Sequence, residues 1–480
     1  MLFSQGTTLL YLRRVLRLRV TKMAMLLFCL FNLLDVVRIH HKLGQTEAQS
    51  SAGQHERHHG RAAPPPPPGH QRVYMASMHF NNGEILRSHW NQAVLDLTET
   101  LGPENVFVSI FESGSWDDSK ELLRELDDEL GRRGVPRRVD VSDVTHQDEL
   151  DNAVKGEGWV VTPRRQKELR RIPYLAKLRN KTIRDLVDLH RKGVVFDKVL
   201  FLNDVVFTVE DVLTLMDTNH GEYAAACSLD FARPPAYYDT FALRDIEGNE
   251  HVTHTWPYFR ARVSRNALVA NLDAVPVTSC WNGIVVMAAE PFVSSTALRF
   301  RGVPDSLAEF HLEGSECCLI HADNPLSRSL GVYLNPRVRV GYSPEAYRAV
   351  HPPGAWVSLS QIFTGIWTNR LKRWTLITLE GVVVHARLRR WAQKQEHRHE
   401  PGALCLINEM QKREKKRPYM NTILIATMAT ITATTTTPAA DVVGSNNRIL
   451  TKARRSSAAP PWRATISALI SGASSVSSSW

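Results

Sequence analysis

Apolar residues in this chain recur in two rhythms. NVFVSIF (105–111), DKVLFLND (197–204), YAAACSLDF (223–231) and CWNGIVVMA (280–288) contain near-continuous apolar runs of strand length. Such runs fit strands covered on both faces. VPRRVDV (135–141) predicts a further short strand. Between these runs the spacing turns helical. DDSKELLRELDDELGRRG (117–134) puts Leu122, Leu123, Leu126 and Leu130 on one face, with Ser115 or Asp117 placed to cap its start and Gly131 or Gly134 its end. NKTIRDLVDLHRKG (180–193) and VEDVLTLMDTN (209–219) read as helices in the same way. Strands alternating with helices predict an α/β fold on a mainly parallel sheet. Ligands of such sheets sit outside the carboxyl ends of the strands.

The two ends break this pattern. Five basic residues (Arg13, Arg14, Arg17, Arg19, Lys22) precede an apolar run from Met23 to Val37. That run is short for a full span of about 20 residues, and Asn32 and Asp35 interrupt it. A short signal anchor, a cleaved signal peptide and an amphipathic segment all fit. The absence of a clean small-residue cleavage site and the excess of positive charge before the run favour the anchor. The organisation expected is a basic cytosolic tail (1–22), an anchor (23–37), a stem (38–72) ending in five prolines at 64–68, and a lumenal globular domain (73–384, core 73–350). Residues 385–480, with the basic REKKR (413–417) and the tract ATMATITATTTT (426–437), are expected to form a disordered tail.

Charge distribution narrows the function. The chain of 480 residues carries +10 overall and is 43% apolar, ample for a core. Residues 1–72 carry ten Lys/Arg against three Asp/Glu, and residues 351–480 eighteen against six, which leaves the middle at −9. A net-acidic globular part argues against a nucleic-acid partner. Six cysteines (Cys29, Cys227, Cys280, Cys317, Cys318, Cys405) show no C-x-x-C pair, so a structural zinc site is not expected. One or two disulfides among Cys227, Cys280, Cys317 and Cys318 and buried free thiols both fit, although the adjacent Cys317 and Cys318 would bond each other only under strain. One glycosylation sequon, Asn180-Lys181-Thr182, agrees with a lumenal location.

Candidate chemistry sits at the strand ends. Asn203 and Asp204 close the apolar run 199–202. A carboxylate there either caps the helix starting near Val209 or holds a hard divalent cation against diphosphate oxygens. Glu112 and Ser113 open a small loop, FESGS (111–115), in which backbone N–H groups can approach a nucleotide. Arg179, beside Asn180, can fork phosphate oxygens. Tyr238 and Asp239 lie in an aromatic, acidic loop, YYDTFALRD (237–245), suited to sugar: rings stack on C–H faces and acids accept from hydroxyls. Trp281 and Asn282 precede a glycine, where backbone can approach a ligand. Glu316, His321 and Asp323 cluster in EGSECCLIHAD (313–323), with Glu316 a possible acid or base and His321 a possible metal ligand.

Taken in order, VFVSIFESGSWD, RIPYLAKLRN, VLFLNDVVF, AACSLDF…YYDTFALRD, CWNG and SECCLIHAD resemble the fungal capsule-associated α-1,3-mannosyltransferase family, over about residues 73–350. The resemblance implies a GT-A-like, Rossmann-type sheet, type II anchoring in the Golgi or another secretory membrane, and a lumenal catalytic part. It implies GDP-mannose as donor, Mn²⁺ or another divalent cation as cofactor, a mannose-containing acceptor, and an α-1,3 linkage formed with retention. Asp204 falls where the family's metal-binding carboxylates lie. The general pattern there is Asp-x-Asp; Asn203-Asp204-Val205 supplies one carboxylate, with Asp239, His321 or Asp323 left to complete the shell. Donor contacts are expected from Glu112, Ser113, Arg179, Asn180 and Asn203. Acceptor contacts are expected from Tyr238, Trp281 and Asn282, with Glu316 and Asp239 as the catalytic candidates. The single carboxylate at 203–205 keeps a rival open: a non-catalytic, membrane-anchored glycan-binding or assembly factor of the same family.

Overall fold

The computed structural model of the protein describes residues 19–59, 71–144, 158–161, 167–375, 379–394 and 398–409, with residues 148, 151 and 156. A long helix, α1 (Arg19–His59), leads into β1 (Val73–His79), α2 (Asn91–Leu101), β2 (Val106–Ser113), α3 (Ser119–Arg132) and β3 (Arg137–Ser142). A hairpin of β4 (Trp159–Val161) and β5 (Lys167–Leu169) precedes α4 (Arg171–Thr182) and α5 (Arg184–Arg191). There follow β6 (Lys198–Leu202), α6 (Val209–Met216), β7 (Ala225–Phe231), β8 (Arg244–Asp245), α7 (Arg262–Val269), β9 (Val275–Ser279) and β10 (Ile284–Ala288). The chain continues through β11 (Leu312–Gly314), α8 (Glu316–Asp323), β12 (Val332–Gly341), α9 (Leu359–Thr375), α10 (Leu379–Ala392) and β13 (Leu406–Asn408).

Nine strands form one mixed, mostly parallel sheet in the order β3-β2-β1-β6-β10-β7-β12-β9-β8. Strands β3, β2, β1 and β6 run parallel, while β10 is antiparallel to both its neighbours. The connection out of β1 goes to β2 on one side, and the chain later returns to β6 on the other. A crevice therefore opens beyond the carboxyl ends of β1 and β6, where the strand order reverses.

Strand alternation divides the core into two layers. Val199 and Phe201 pack with Tyr74, Val285 and Ile320 on one face, whereas Leu200 and Leu202 pack with Val94, Leu123 and Leu215 on the other. The four leucines of α3 are buried as their spacing predicts. Its start is held by Asp117, whose carboxylate accepts from Ser119 N at 3.0 Å. The single helix expected over 180–193 is broken at Ile183, so residues 180–182 close α4 and Arg184–Arg191 forms α5. CWNG precedes β10 as a loop rather than opening the strand.

The boundary expected at 385 falls inside α10, and the fold extends to Glu409. β13 pairs with β11, and Val384, Trp391 and Leu406 pack on Val303, Leu312 and Leu319. Disulfides join Cys227 to Cys280 and Cys318 to Cys405. The first pair lies within the expected set. The second recruits a cysteine assigned from sequence to the tail, and Cys317 remains a buried thiol. The rest of that tail, including 413–417 and 426–437, and the five prolines of the stem lie outside the described residues.

The apolar run 23–37 is the middle of a helix long and apolar enough, over Arg19–Thr46, to cross a membrane. Its later part is not a free stem: Val36, Ile39 and Leu43 are buried in the main core, and Phe28 meets Trp367 of α9 edge-to-face at 5.7 Å. Asn180 is also committed. Its amide nitrogen donates to Phe300 O at 2.7 Å and its oxygen accepts from Phe300 N at 3.0 Å, so the folded chain does not offer the sequon for modification.

Candidate active site

The crevice floor begins with Asp204. The helix that follows it needs no help from this carboxylate, because Thr208 and Asp211 form a reciprocal capping box at the start of α6. Asp204 instead accepts from Asn82 Nδ2 at 2.7 Å, linking the ends of β6 and β1. Asn82 is held in turn by His79, whose ring bridges Asn82 Oδ1 at 3.3 Å and Ser77 Oγ at 2.8 Å and meets the edge of Trp90. Burial pulls His79 down to about 4, partly offset by Asn82, so the ring is a neutral spacer. Asn203 anchors the other side: its carbonyl accepts from Trp90 Nε1 at 3.0 Å and its amide oxygen from Trp281 Nε1 at 3.2 Å. Loss of water pushes Asp204 up to about 6; Asn82 and the nearby Arg179 offset only part of that.

A second layer of acids surrounds it. Asp230, at the end of β7, is fully buried and accepts from Asn282 Nδ2 at 2.8 Å and from Tyr342 OH at 3.2 Å. Burial first, then Asp239, raises its pKa. Asp239 accepts from the N–H groups of Phe241 and Ala242, and is itself raised by burial and by Glu316. Asn282 holds the positive φ of 36° that lets its side chain span Asp230 and the Asp239 carbonyl. Glu316, first residue of α8, accepts from Arg179 Nε at 3.1 Å. Arg179 lies over the Trp281 ring at 4.6 Å.

The structure thus gathers Asn203, Asp204, Arg179, Asp239, Trp281, Asn282 and Glu316 around one crevice. Tyr238 stands at its edge, 44% exposed and packed on Tyr342. Trp281 is buried beneath Arg179 and offers the guanidinium a platform rather than a bare face for a sugar. Glu112 holds the loop after β2 in place by accepting from Ser115 N and from Ser142 N, and Ser113 Oγ lies 3.2 Å from Tyr174 OH.

His321 and Asp323 correct the expectation that they complete a shell with Asp204. The His321 ring contacts the Cys280 carbonyl at 2.6 Å, and burial holds it down to about 4. It comes close to Cys227 and Cys280, but those sulfurs are bonded to each other and cannot bind a cation as thiolates. Asp323 is gripped by Arg301 at 2.6 and 2.9 Å. No contact joins either residue to Asp204.

The sequence reading missed His79, Asn82 and Tyr342. His79 ends β1 and Asn82 follows it in MASMHFNNG, the same motif of apolar run and polar end that exposed Asp204; the run is masked by Ser77 in its interior. A divalent cation fits the donor set in one respect: Asp204 is a hard oxygen ligand whose ionisation burial opposes and a cation would restore. Among the described residues no three carboxylates converge on a ligand-sized point, so the remaining positions would fall to diphosphate oxygens and water.

The family model for cryptococcal mannosyltransferase 1 matches residues 72–323. The chain belongs to this family. The family is one of glycosyltransferases, and the match encloses every residue of the crevice but Tyr342. A comparison with curated proteins finds no match. Among solved structures, the mannosyltransferase PcManGT from Pyrobaculum calidifontis, in complex with GDP-Man and Mn²⁺, is 10% identical, covering 83% of this chain and 92% of its own, with a TM-score of 0.34. S. aureus TarS 1–349 is 10% identical over 67% and 83%, with a TM-score of 0.31. GalNAc-T7 with UDP, GalNAc and Mn²⁺ is 11% identical over 67% and 54%, with a TM-score of 0.33.

Proposed function

We propose that this family member transfers mannose from GDP-mannose to a mannose-containing acceptor, in α-1,3 linkage and with retention, from a type II anchored position in the Golgi or another secretory membrane. The observation that carries this reading is Asp204: a carboxylate at the strand-order reversal, bridged to Asn82, with no helix to cap and no cation at salt-bridge distance among the described residues. Asp204 would hold a divalent ion, Mn²⁺ or similar, which when bound neutralises charge on the departing diphosphate.

The chain's own residues do the rest. Arg179 engages Glu316 through Nε, leaving its other N–H groups to accept a share of the leaving-group charge. Trp281 keeps that guanidinium fixed in height. In the loop 113–116 the N–H groups of Ser115 and Trp116 are spent on Glu112 and Asn81, which fixes the loop, and the exposed Trp116, edge-on to Phe80 at 5.0 Å, offers a ring face to the donor's base. Asp239 and Glu316 flank the space for the acceptor hydroxyl. Burial, with Glu316 nearby, raises the Asp239 pKa, and Arg179 holds Glu316 in an ion pair. Tyr238 supplies the stacking face for the acceptor ring.

The test uses the full chain in detergent with GDP-mannose, Mn²⁺ and an α-mannobiose series, and reads the product linkage by NMR. A new α-1,3-mannosyl residue is expected, and absence of transfer to any mannoside defeats the proposal. The lone carboxylate at 203–205 favours one other reading, a non-catalytic glycan-binding or assembly factor. Calorimetry separates the two, since that factor would bind mannoside without binding GDP-mannose.

A further inference from the structure

Away from the crevice, α1, α7 and α9 enclose a cleft of about 340 Å³. Arg38 and Lys42 enter it from α1, Arg265 from α7, and Arg370 and Arg373 from α9; Asp35 is the one carboxylate in its lining. Among the described residues none of these five cations forms a salt bridge. Arg265 instead donates to the carbonyls of Arg260 and Phe259, and Arg373 to Asn369 Oδ1. The guanidiniums work against one another: after burial, Arg373 and Arg370 are among the groups that lower Arg265, and Arg370 lowers Arg373. A cluster of like charges kept together without counter-ions is a stored attraction for an anion.

What surrounds the cleft says which anion. Apolar side chains lie bare on two of the three helices that form it: on α1 Leu26 is 68% and Phe31 71% exposed, and on α9 Leu371 is 52% and Trp374 69% exposed. The contact of Phe28 with Trp367 makes the two apolar surfaces continuous. Arg370 lies over the other side of that junction, 5.1 Å from the Trp367 ring. Water-soluble anions have no use for such flanks. A membrane lipid has both parts, acyl chains for the bare helices and a phosphate for the cations.

We propose that the cleft between α1, α7 and α9 binds the phosphate of an anionic phospholipid headgroup, seating the globular domain on the membrane in a fixed orientation. The helix α1 alone would tether the domain. The cleft adds a lipid-specific contact, independent of the donor chemistry.

The test is thermal unfolding and tryptophan fluorescence of the full-length chain in neutral detergent, titrated with phosphatidic acid, phosphatidylcholine or inorganic phosphate. Phosphatidic acid should bind saturably and raise the unfolding temperature, phosphatidylcholine should do neither, and inorganic phosphate should bind at least about tenfold more weakly. Arg370→Gln/Arg373→Gln should weaken phosphatidic acid binding by about tenfold or more, given roughly 1 kcal/mol per basic residue near an anionic surface. If that variant fails to fold, Arg38→Gln/Lys42→Gln, on the exposed face of α1, gives the same reading. Equal affinity for free phosphate would overturn the lipid assignment. Undiminished binding in a folded variant, or no response to phosphatidic acid, would overturn the site.

Discussion

Two clusters of arginine and carboxylate lie within one fold and are built on opposite terms. In the C-terminal clasp every acid faces a guanidinium: Arg170 holds Glu313 and Asp305 at 2.7 Å each, and Arg301 holds Asp323 at 2.6 Å and Glu400 at 2.8 Å. In the crevice, among the described residues, Asp204, Asp230, Asp239 and Glu316 have one arginine beside them, Arg179, and only Glu316 is paired with it, at 3.1 Å. The same residue types thus do two jobs. Matched charges tie segments distant in sequence together. In the crevice, loss of water raises the pKa of Asp204, Asp230 and Asp239, with Asp239 adding to it for Asp230 and Glu316 for Asp239, and acids so placed cost stability until something arrives to neutralise them. On the function proposed above, that difference separates a crevice kept for a ligand from a clasp that is structure.

The largest effect should come from cutting the crevice at Asp204, the acid that follows β6. Asp204→Ala is expected to lower the transfer rate by about 10³-fold, the scale of losing one preorganised electrostatic contact, while far-UV circular dichroism stays unchanged. A rate within twofold of wild type would remove Asp204 from the donor site and erase the contrast. The clasp should respond in the other currency. Arg170→Met removes the guanidinium that faces Glu313, 4% exposed, and should cost about 3–5 kcal/mol in denaturant unfolding. Donor affinity of the surviving folded fraction should not change. Cys405→Ser opens the second link of the clasp, a bridge spanning 87 residues, and should cost about 2–4 kcal/mol. If this variant lost donor binding at full stability, clasp and crevice would not be separate regions.

Legibility in the sequence follows the same division. Elements whose partners are near in sequence are readable: the leucine face of α3, the buried run of β6, and the end of that run at Asp204 all follow from periodicity. Asp204 stood out because it ends an apolar run, Asp239 and Glu316 because of the acidic, aromatic or histidine-bearing segments around them. Their neighbours did not, since Asn82 and Tyr342 reach the site only through the order β1-β6-β10-β7-β12, which no spacing encodes. β12 hides itself further, with Asn335 and Pro336 in its middle and a register shift between Leu334 and Arg339. The clasp was misjudged for a related reason. A basic, weakly patterned segment around α10 looks unable to bury a core by itself, and its stability is supplied by Cys318, β11 and Arg301, which lie far upstream.

The smallest effect sharpens the comparison most, because it asks what the unmatched charge costs. Asp204 has an ordinary carboxyl pKa of 3.8 in the unfolded chain and about 6 in the folded one. The folded state therefore holds the proton more tightly. Below about pH 4 both states are protonated and the site costs nothing. Between about pH 4 and pH 6 the unfolded chain gives up this proton while the folded state keeps it, and stability falls by up to about 1–3 kcal/mol. Asp204→Asn keeps an oxygen for Asn82 and removes the charge. Its unfolding temperature should match wild type at pH 4 and exceed it by a few degrees at pH 7, in calorimetry without added metal. Adding Mn²⁺ with GDP should then raise wild type and not the variant, closing the gap, since a cation supplies the partner that the crevice, unlike the clasp, lacks. A gap that persists with metal present would mean that Asp204 is a strained structural acid, and that the shortage of positive charge around it is not kept for a ligand.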